Sequence, residues 1–226
     1  MQEGKTEGIV LRSLDYRDGQ RIITVFTRHG LISLIVKGIT KNNSQLLTLT
    51  SPLCEGEFAF KQNHSQLLLF VDGSVIDFHL CLRKRLASLE TAALLTQTIL
   101  TSQLEGKPAF NVYSLFRLYL KQISSFDTPR VLLASFQLKL LSLEGMLSLS
   151  STCNRCQSRQ ALFLNKGESL CMAHPREGEG FCFSSTEWSF LLQLQQAQQF
   201  SSLRTLLLPS HLSQKIDVYF KYRLAE

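Results

Sequence analysis

The chain has 226 residues, 44% of them hydrophobic, and carries a formal net charge of +6 with a pI near 9.1. That length serves one large domain or about two to three small ones with real cores, and the basic balance suits a polyanionic partner. No apolar stretch crosses a bilayer, since the best candidate, 131–143, is broken by Gln137 and Lys139; Met1-Gln-Glu-Gly-Lys opens with mixed charge and predicts no signal peptide.

Residues 5–80 predict a β-rich domain. Gly8-Ile-Val-Leu, Arg21-Ile-Ile-Thr-Val-Phe-Thr27, Leu31-Ile-Ser-Leu-Ile-Val-Lys37, Glu55-Gly-Glu-Phe-Ala-Phe60 and Leu67-Leu-Leu-Phe-Val71 are short and rich in β-branched or aromatic residues. Turn signals at Asp18-Gly19, His29-Gly30, Asn42-Asn43-Ser44 and Asn63-His64-Ser65 separate them. Five short strands with no helical spacer point to a small closed barrel, for which the OB-fold is the five-stranded option.

From Arg83 the period changes. Leu86, Leu89, Ala93, Leu94, Thr96, Ile99 and Leu100 recur at helical spacing; so do Val112, Leu115, Phe116, Tyr119 and Leu120, and then Val131, Leu132, Ser135, Phe136, Leu138, Leu140 and Leu141. Pro108 and Pro129 mark breaks, and Pro129 fits an early helical turn. A hairpin is expected at 161–164 before Lys166-Gly167. Helices resume over 188–198 and 212–224. The expected fold class is α+β: an OB-fold domain at 1–80, a helical domain begun at 81–150, a zinc module at 151–183 and C-terminal helices at 184–226 that complete the bundle.

Cys153-Asn-Arg-Cys156, fourteen residues, then Cys171-Met-Ala-His174 is the most specific motif. Each half offers two ligands from one tight turn, and the intervening segment brings the halves together around a tetrahedral Zn2+. Cys182 is the alternative fourth ligand; His174 is favoured because it completes a two-residue spacing. Four protein ligands make a closed site, which stabilises a fold and does not activate water. A thiolate site also suits a reducing compartment, so a cytoplasmic location is expected. Cys54 and Cys81 sit among apolar residues and are expected to be core.

Residues 1–50 carry seven basic residues (Lys5, Arg12, Arg17, Arg21, Arg28, Lys37, Lys41) against four acidic ones, whereas 51–80 carry Lys61 against Glu55, Glu57, Asp72 and Asp77. The first three strands thus offer a basic face along which a phosphate backbone could run, with Tyr16 or Phe26 for stacking. Arg83-Lys84-Arg85 at the junction either extends it or forms a solvated first helical turn; cations at a helix start oppose the dipole and suit an anion site slightly better. There is no Walker A loop, dinucleotide glycine fingerprint, His-Glu-x-x-His or Gly-x-Ser-x-Gly. His29, His64, His79 and His211 have no sequence partner. A binding protein is expected, not an enzyme.

Thr6-Glu7-Gly8-Ile9-Val10-Leu11-Arg12, Tyr16-Arg17-Asp18, the 21–27 run, Gly30-Leu31 and Val36-Lys37-Gly38 closely resemble the start of the bacterial RecO family of recombination mediators. Ser114-Leu115-Phe116, and Phe136-Gln-Leu-Lys-Leu-Leu141 followed by Glu144-Gly145 and Leu147, resemble that family's run into its Cys-x-x-Cys. The resemblance covers the chain to about His174. It implies an OB-fold, a helical domain and a zinc module. It implies binding of single- and double-stranded DNA, strand annealing, and work with RecR and the single-strand-binding protein to load recombinase in gap and break repair near the nucleoid. It also implies that the helical domain receives that protein's acidic, apolar-ended C-terminal tail, for which 107–139 supply Lys107, Arg117, Lys121, Arg130 and Lys139. This chain departs from the family's usual pattern in offering His174 where a fourth Cys is common, and Gln157 where a Gly often follows the second Cys. The alternative function is a protein-interaction adaptor with a structural zinc site and no direct DNA role.

Overall fold

The structure, a computed structural model, describes residues 2–62, 67–157, 159–174 and 180–225. The turn expected at 63–65, apart from its neighbours, lies outside them. The chain forms two compact units, Met1–Lys121 and Gln122–Glu226, a division that falls inside the segment expected to begin the helical domain.

In the first unit, strands β1 (Gln2–Arg17), β2 (Gln20–Thr27), β3 (Gly30–Lys37), β4 (Glu55–Gln62) and β5 (Leu68–Asp77) close into a barrel in the order β1-β2-β3-β5-β4. The β3–β5 pair is parallel and rests on Leu34–Leu68 and Ile35–Leu69; β1 closes the ring by pairing with β4 from Gln2–Gln62 to Ile9–Glu55. Alternation turns Val10, Ile23, Val25, Leu34, Val36 and Phe58 into one core. β1 runs 16 residues, far beyond the expected four, because register shifts at Val10/Arg12 and Asp15/Arg17 bend it around the barrel.

One expectation fails here. A helical spacer does exist: α1 (Ser44–Leu49) starts at the predicted turn, where the Asn43 side chain accepts from the Leu46 N–H at 3.1 Å. Its buried Leu49 joins the barrel core. A Cβ at Gly56 or Gly73 would meet Leu49 at 2.6 or 2.9 Å, so these glycines let the helix close one end of the barrel.

Helix α2 (Leu86–Ser102) was expected to bury Leu86, Leu89, Ala93 and Leu94. It buries the expected Thr96 and Ile99, but Ser88, Thr91, Ala92, Leu95 and Thr98 in place of the others, leaving Leu86 73% exposed. Small residues let the backbones approach closely, and a hydropathy pattern does not register that preference. Helix α3 (Phe110–Gln122) buries Val112, Tyr113, Phe116, Tyr119 and Leu120, as its spacing predicts. Tyr113 and Phe116 pack edge-on against Phe26 of β2, with ring centroids 5.6 and 5.9 Å away. Cys54 is buried, but Cys81 is exposed on a 3₁₀ turn (Leu80–Lys84), contrary to expectation.

The second unit is built on α4 (Arg130–Leu143), of which ten residues are buried. It ends where Gly145, at φ 71°, lets the Gly145 and Met146 N–H groups reach the Ser142 and Leu141 carbonyls. A three-stranded sheet of β6 (Phe163–Asn165), β7 (Glu168–Leu170) and β8 (Phe181–Cys182) follows in the order β7-β6-β8, with the predicted hairpin between β6 and β7. Helices α5 (Ser185–Gln196), α6 (Phe200–Arg204) and α7 (Ser210–Ala225) complete the unit. α5 starts in a capping box between Ser184 and Glu187. Gln137 donates to Asp217 at 2.9 Å and Ser135 to the Leu194 carbonyl at 2.6 Å, which fixes α4 against α7 and α5. Among the described residues no helix is long and apolar enough to cross a membrane.

Candidate nucleic-acid interface and metal centre

The two Cys/His half-sites meet. One ligand atom from each of Cys153, Cys156, Cys171 and His174 lies within 4.8 Å of all the others. His174 Nδ1 sits 3.2 Å from both Cys153 Sγ and Cys171 Sγ, and Cys156 Sγ is 3.9 Å from Cys171 Sγ. A tetrahedron with metal–sulfur bonds of about 2.3 Å has edges of roughly 3.7 Å, so the four atoms are spaced as a single ion requires. Cys182 lies exposed on β8, outside this group.

Each half-site is a turn fixed by its backbone. The Gln157 N–H bonds the Cys153 carbonyl at 2.9 Å, and the His174 N–H bonds the Cys171 carbonyl at 3.3 Å. Gln157 sits at φ 58°, in the left-handed region that glycine occupies without strain, so the departure at this position has a conformational cost. Burial raises the Cys153 thiol, but backbone N–H groups of Cys156, Cys171 and Arg155 outweigh it and hold the thiol below its ordinary value. Those donors stabilise a thiolate, the form a metal binds. Cys171 is pushed up by burial, with the neighbouring thiols adding to the shift; a cation among them would reverse that repulsion. The sheet beneath contributes Phe163 and Leu170 to the same small core.

The expected DNA-binding residues fall into separate groups. Register places Arg17, Gln20 and Lys37 in one row across β1, β2 and β3. The loop beyond β3, which carries Lys41, is tied back by an Ile39 N–H to Gly19 carbonyl bond of 3.0 Å. Arg17, Lys37 and Lys41 are exposed, and the Arg17 guanidinium stands 5.1 Å from the ring centroid of Tyr16, itself 51% exposed. The adjacent row is Leu14, Ile22, Ile35 and Leu69, an apolar stripe on the outer face. Phe26, the other expected stacking residue, is fully buried under α3.

Arg21 is different. Its Nε donates to Asp15 at 2.9 Å and its Nη1 to Thr50 at 2.9 Å, with only 18% of the side chain exposed. It joins β2 to β1 and to the end of α1. Arg28 lies at the opposite end of β2, in the two-residue turn to β3, 5.2 Å from the Phe110 ring. Arg12 lines a cavity of about 720 Å3 between β1, Pro52 and the Leu89–Leu100 face of α2. Arg83 donates to the Pro52 carbonyl at 3.1 Å and covers the Phe78 ring at 4.6 Å. Lys84 and Arg85 are exposed beside it at the start of α2, which has no side-chain cap.

Of the five cations expected to rim a peptide pocket, Arg117 and Lys121 face Glu55. Lys139 donates to the Ala197 carbonyl, and burial lowers its pKa. Arg130 alone lines a described cavity, about 450 Å3, with Val131, Leu207, Leu208 and Pro209. Leu207 is 82% exposed at its mouth. The 207–209 segment carries no motif that sequence reasoning selects; its signal is only an apolar run ending in proline.

Comparison with known proteins covers nearly the whole chain. Residues 1–95 match the family model described as recombination protein O N terminal, and residues 83–214 match recombination protein O C terminal. The DNA repair protein RecO of Chlamydia pneumoniae is 30% identical over 217 residues, 94% of this chain and 85% of that protein. The DNA repair protein RecO of Chlamydia trachomatis serovar D is 27% identical over 223 residues, 97% of this chain and 91% of that protein. The DNA repair protein RecO of Bacillus subtilis is 31% identical over 160 residues, 70% of this chain and 62% of that protein.

Proposed function

The chain belongs to the recombination protein O family, and from that premise we propose that it is a non-catalytic DNA-binding mediator of recombinational repair. It anneals complementary strands and helps load recombinase onto DNA coated by the single-strand-binding protein, in concert with RecR. The observation that carries this reading is the exposed row of Arg17 and Lys37, with Lys41 nearby, beside a stripe of Leu14, Ile22 and Ile35 on the outer face of the barrel.

Cations in a row neutralise successive phosphates of a strand and release its counterions. Tyr16 offers a ring for a base, already paired with the Arg17 guanidinium. Arg12, Arg28, Arg83, Lys84 and Arg85 add positive charge in separate groups on the barrel unit, and Arg21 pairs with Asp15 near the row. No base edge is enclosed by such a surface. Two strands bound this way repel one another less while their bases remain able to pair, which is what annealing needs.

Zn2+ held by Cys153, Cys156, Cys171 and His174 has a structural role. It supplies four bonds to a segment with little core and no open position for substrate. The cavity at Arg130 suits the acidic, apolar-ended tail of the single-strand-binding protein: Val131, Leu207, Leu208 and Pro209 accept an apolar end, and the guanidinium a carboxylate.

The test is annealing of complementary oligonucleotides, bare and coated with the single-strand-binding protein, by the full chain and by a triple variant Arg17→Ala, Lys37→Ala, Lys41→Ala. Loss of annealing with zinc content and melting unchanged is expected. Full annealing by the variant would move the site to Arg83–Arg85. The adaptor reading draws on the apolar stripe Leu14, Ile22 and Ile35, which also suits a protein surface; absence of any salt-dependent DNA affinity would favour it.

A further inference from the structure

A second cluster of metal-binding residue types lies in the barrel unit, apart from everything the proposed function uses. One ligand atom from each of Glu55, Asp77 and His79 lies within 4.8 Å of the others. Glu55 and Asp77 are register partners on β4 and β5, so two carboxylates face each other across the sheet. Glu55 is fully buried and His79 is 3% exposed. The sequence reads His79 as an isolated histidine: Asp77 is two residues away, but Glu55 comes from a strand distant in the chain.

Each of the three side chains has one polar atom closely engaged and one with no hydrogen-bond partner or only a long ion pair. His79 Nδ1 lies 3.1 Å from the Leu53 carbonyl. A carbonyl only accepts, so Nδ1 carries the hydrogen, and in the neutral ring Nε2 presents a bare lone pair. Asp77 Oδ1 accepts the His79 backbone N–H at 2.7 Å, and Glu55 Oε1 is ion-paired with Arg117 Nε. What remains is Nε2, Asp77 Oδ2 and Glu55 Oε2. Nε2 and Oδ2 stand 3.7 Å apart, and neither Nε2 nor Glu55 Oε2 has a hydrogen-bond partner in the described structure.

Arg117 and Lys121 offset the Glu55 charge from one side, and a positive centre beside His79 Nε2 and Asp77 Oδ2, 3.7 Å apart, would stabilise the lone pair and the second carboxylate. Imidazole nitrogen with carboxylate oxygen is the donor set of a borderline divalent transition-metal ion. A ligating histidine commonly gives its other ring N–H to a backbone carbonyl, as His79 does, and a ligating carboxylate is commonly supported by a donor on its other oxygen, as both carboxylates are here. Asp77 is 45% exposed, which leaves the ion a path from solvent. Lys121, 44% exposed with its ammonium 3.9 Å from Glu55 Oε2, is the group an ion would displace.

We propose that Glu55, Asp77 and His79 form a divalent transition-metal site, separate from the Cys153–His174 cluster and of different chemistry. The ion joins β4 to β5 where the barrel ends, and through Glu55 and Arg117 it ties α3 to the same point. The competing positive centre is a proton, which would make His79 an imidazolium paired with both carboxylates.

Cobalt titration of metal-free full-length protein separates the two sites. Co2+ bound at the cysteine cluster shows thiolate-to-metal charge transfer in the near ultraviolet; Co2+ on nitrogen and oxygen shows only weak visible bands. Two binding steps are expected, one of each kind. His79→Asn should abolish only the step without charge transfer: asparagine tolerates the left-handed backbone (φ 50°) and offers an amide N–H to Leu53, but has no Nε2. Asp77→Asn, which keeps an oxygen for the His79 N–H, should do the same, and it decides the matter if the first variant does not fold. Lys121→Gln should tighten that step severalfold. A wild type with only the thiolate step, or a second step indifferent to His79→Asn and Asp77→Asn, overturns the proposal in favour of the proton. Loss of the thiolate step alone would instead overturn the zinc site and leave this one standing.

Discussion

The barrel and the metal module close small β-structures by different means. The barrel has strands of 16, 8, 8, 8 and 10 residues, hydrogen-bonded in a ring around Val10, Ile23, Val25, Leu34, Val36, Leu49 and Phe58. The module has strands of 3, 3 and 2 residues, and its core cluster is Phe163 and Leu170 with three of the four metal-binding groups. In the first, the cations proposed to meet DNA, Arg17, Lys37 and Lys41, stand outside the core that folds. In the second, the ligands are the core. The same kind of change, removal of one functional side chain, therefore has opposite consequences in the two regions.

The largest expected effect follows from that contrast. Cys153→Ser, or a strong chelator, should melt the module and destabilise the second unit, because metal binding free energy is folding free energy where no adequate core exists. Circular dichroism and amide hydrogen exchange should show protection lost around 150–174 and retained in β1–β5. Equal loss in the barrel strands would show that the two regions are not independent. Next in size, the triple variant at Arg17, Lys37 and Lys41 should leave melting unchanged but make the log–log salt slope of single-strand affinity shallower by about 2, at roughly 0.7 per phosphate contact. Arg21→Ala sharpens the point: it should lower the barrel's stability by about 1 kcal/mol, since it removes the bonds to the exposed Asp15 and the buried Thr50 that tie β2 to β1 and α1.

Smaller effects lie where the module meets its helices. Burial raises the Glu187 carboxyl, but the Ser184 N–H, Lys215 and His211 outweigh it and hold it below the ordinary value. Its contribution is therefore complete above the unfolded value of about 4.3 and is lost as pH falls through the lower folded value. Glu187→Gln should cost about 1 kcal/mol near neutral pH, with the gap to the parent closing below about pH 4 in parallel melts. A gap that persisted in acid would assign the cost to packing. The smallest effect is a gain: Gln157→Gly should stabilise the metal-loaded module by about 1 kcal/mol by relieving the left-handed backbone, less what the Asn154 and Thr152 contacts of Gln157 contribute. A lower melting temperature would show that those contacts outweigh the strain.

Much of this was legible in the residues. Alternating β-branched runs between turn signals announced the barrel strands, because a strand's side chains alternate between core and solvent whatever the partner strand is. The four metal-binding positions were legible for a similar reason: two short turns fix the ligand pairs locally. The spacing left Cys182 open as a fourth ligand, and the fold brings His174 to the other three while Cys182 points outward from β8. Six residues of helix at 44–49 went unseen, being too few to show a period and masked by the Asn-Asn-Ser turn signal that caps them. The buried face of α2 was legible only in part: Thr96 and Ile99 are buried as their spacing indicates, but the small Ser88, Thr91 and Ala92 are buried too, and hydropathy ranks them below the leucines left outside.

Local chemistry was thus determined by the sequence itself: strand and helix periods, caps, metal-binding turns and the excess of positive charge in the first fifty residues. Tertiary structure alone decided which cations are available and which are held. Arg17 and Lys37 share a row only because two strand pairings align them, and Arg21 is withdrawn only because Asp15 and Thr50 converge on it. It also decided that Glu55, Asp77 and His79 share one small volume. These relations depend on register and on contacts between residues distant in the chain, and no local pattern encodes them.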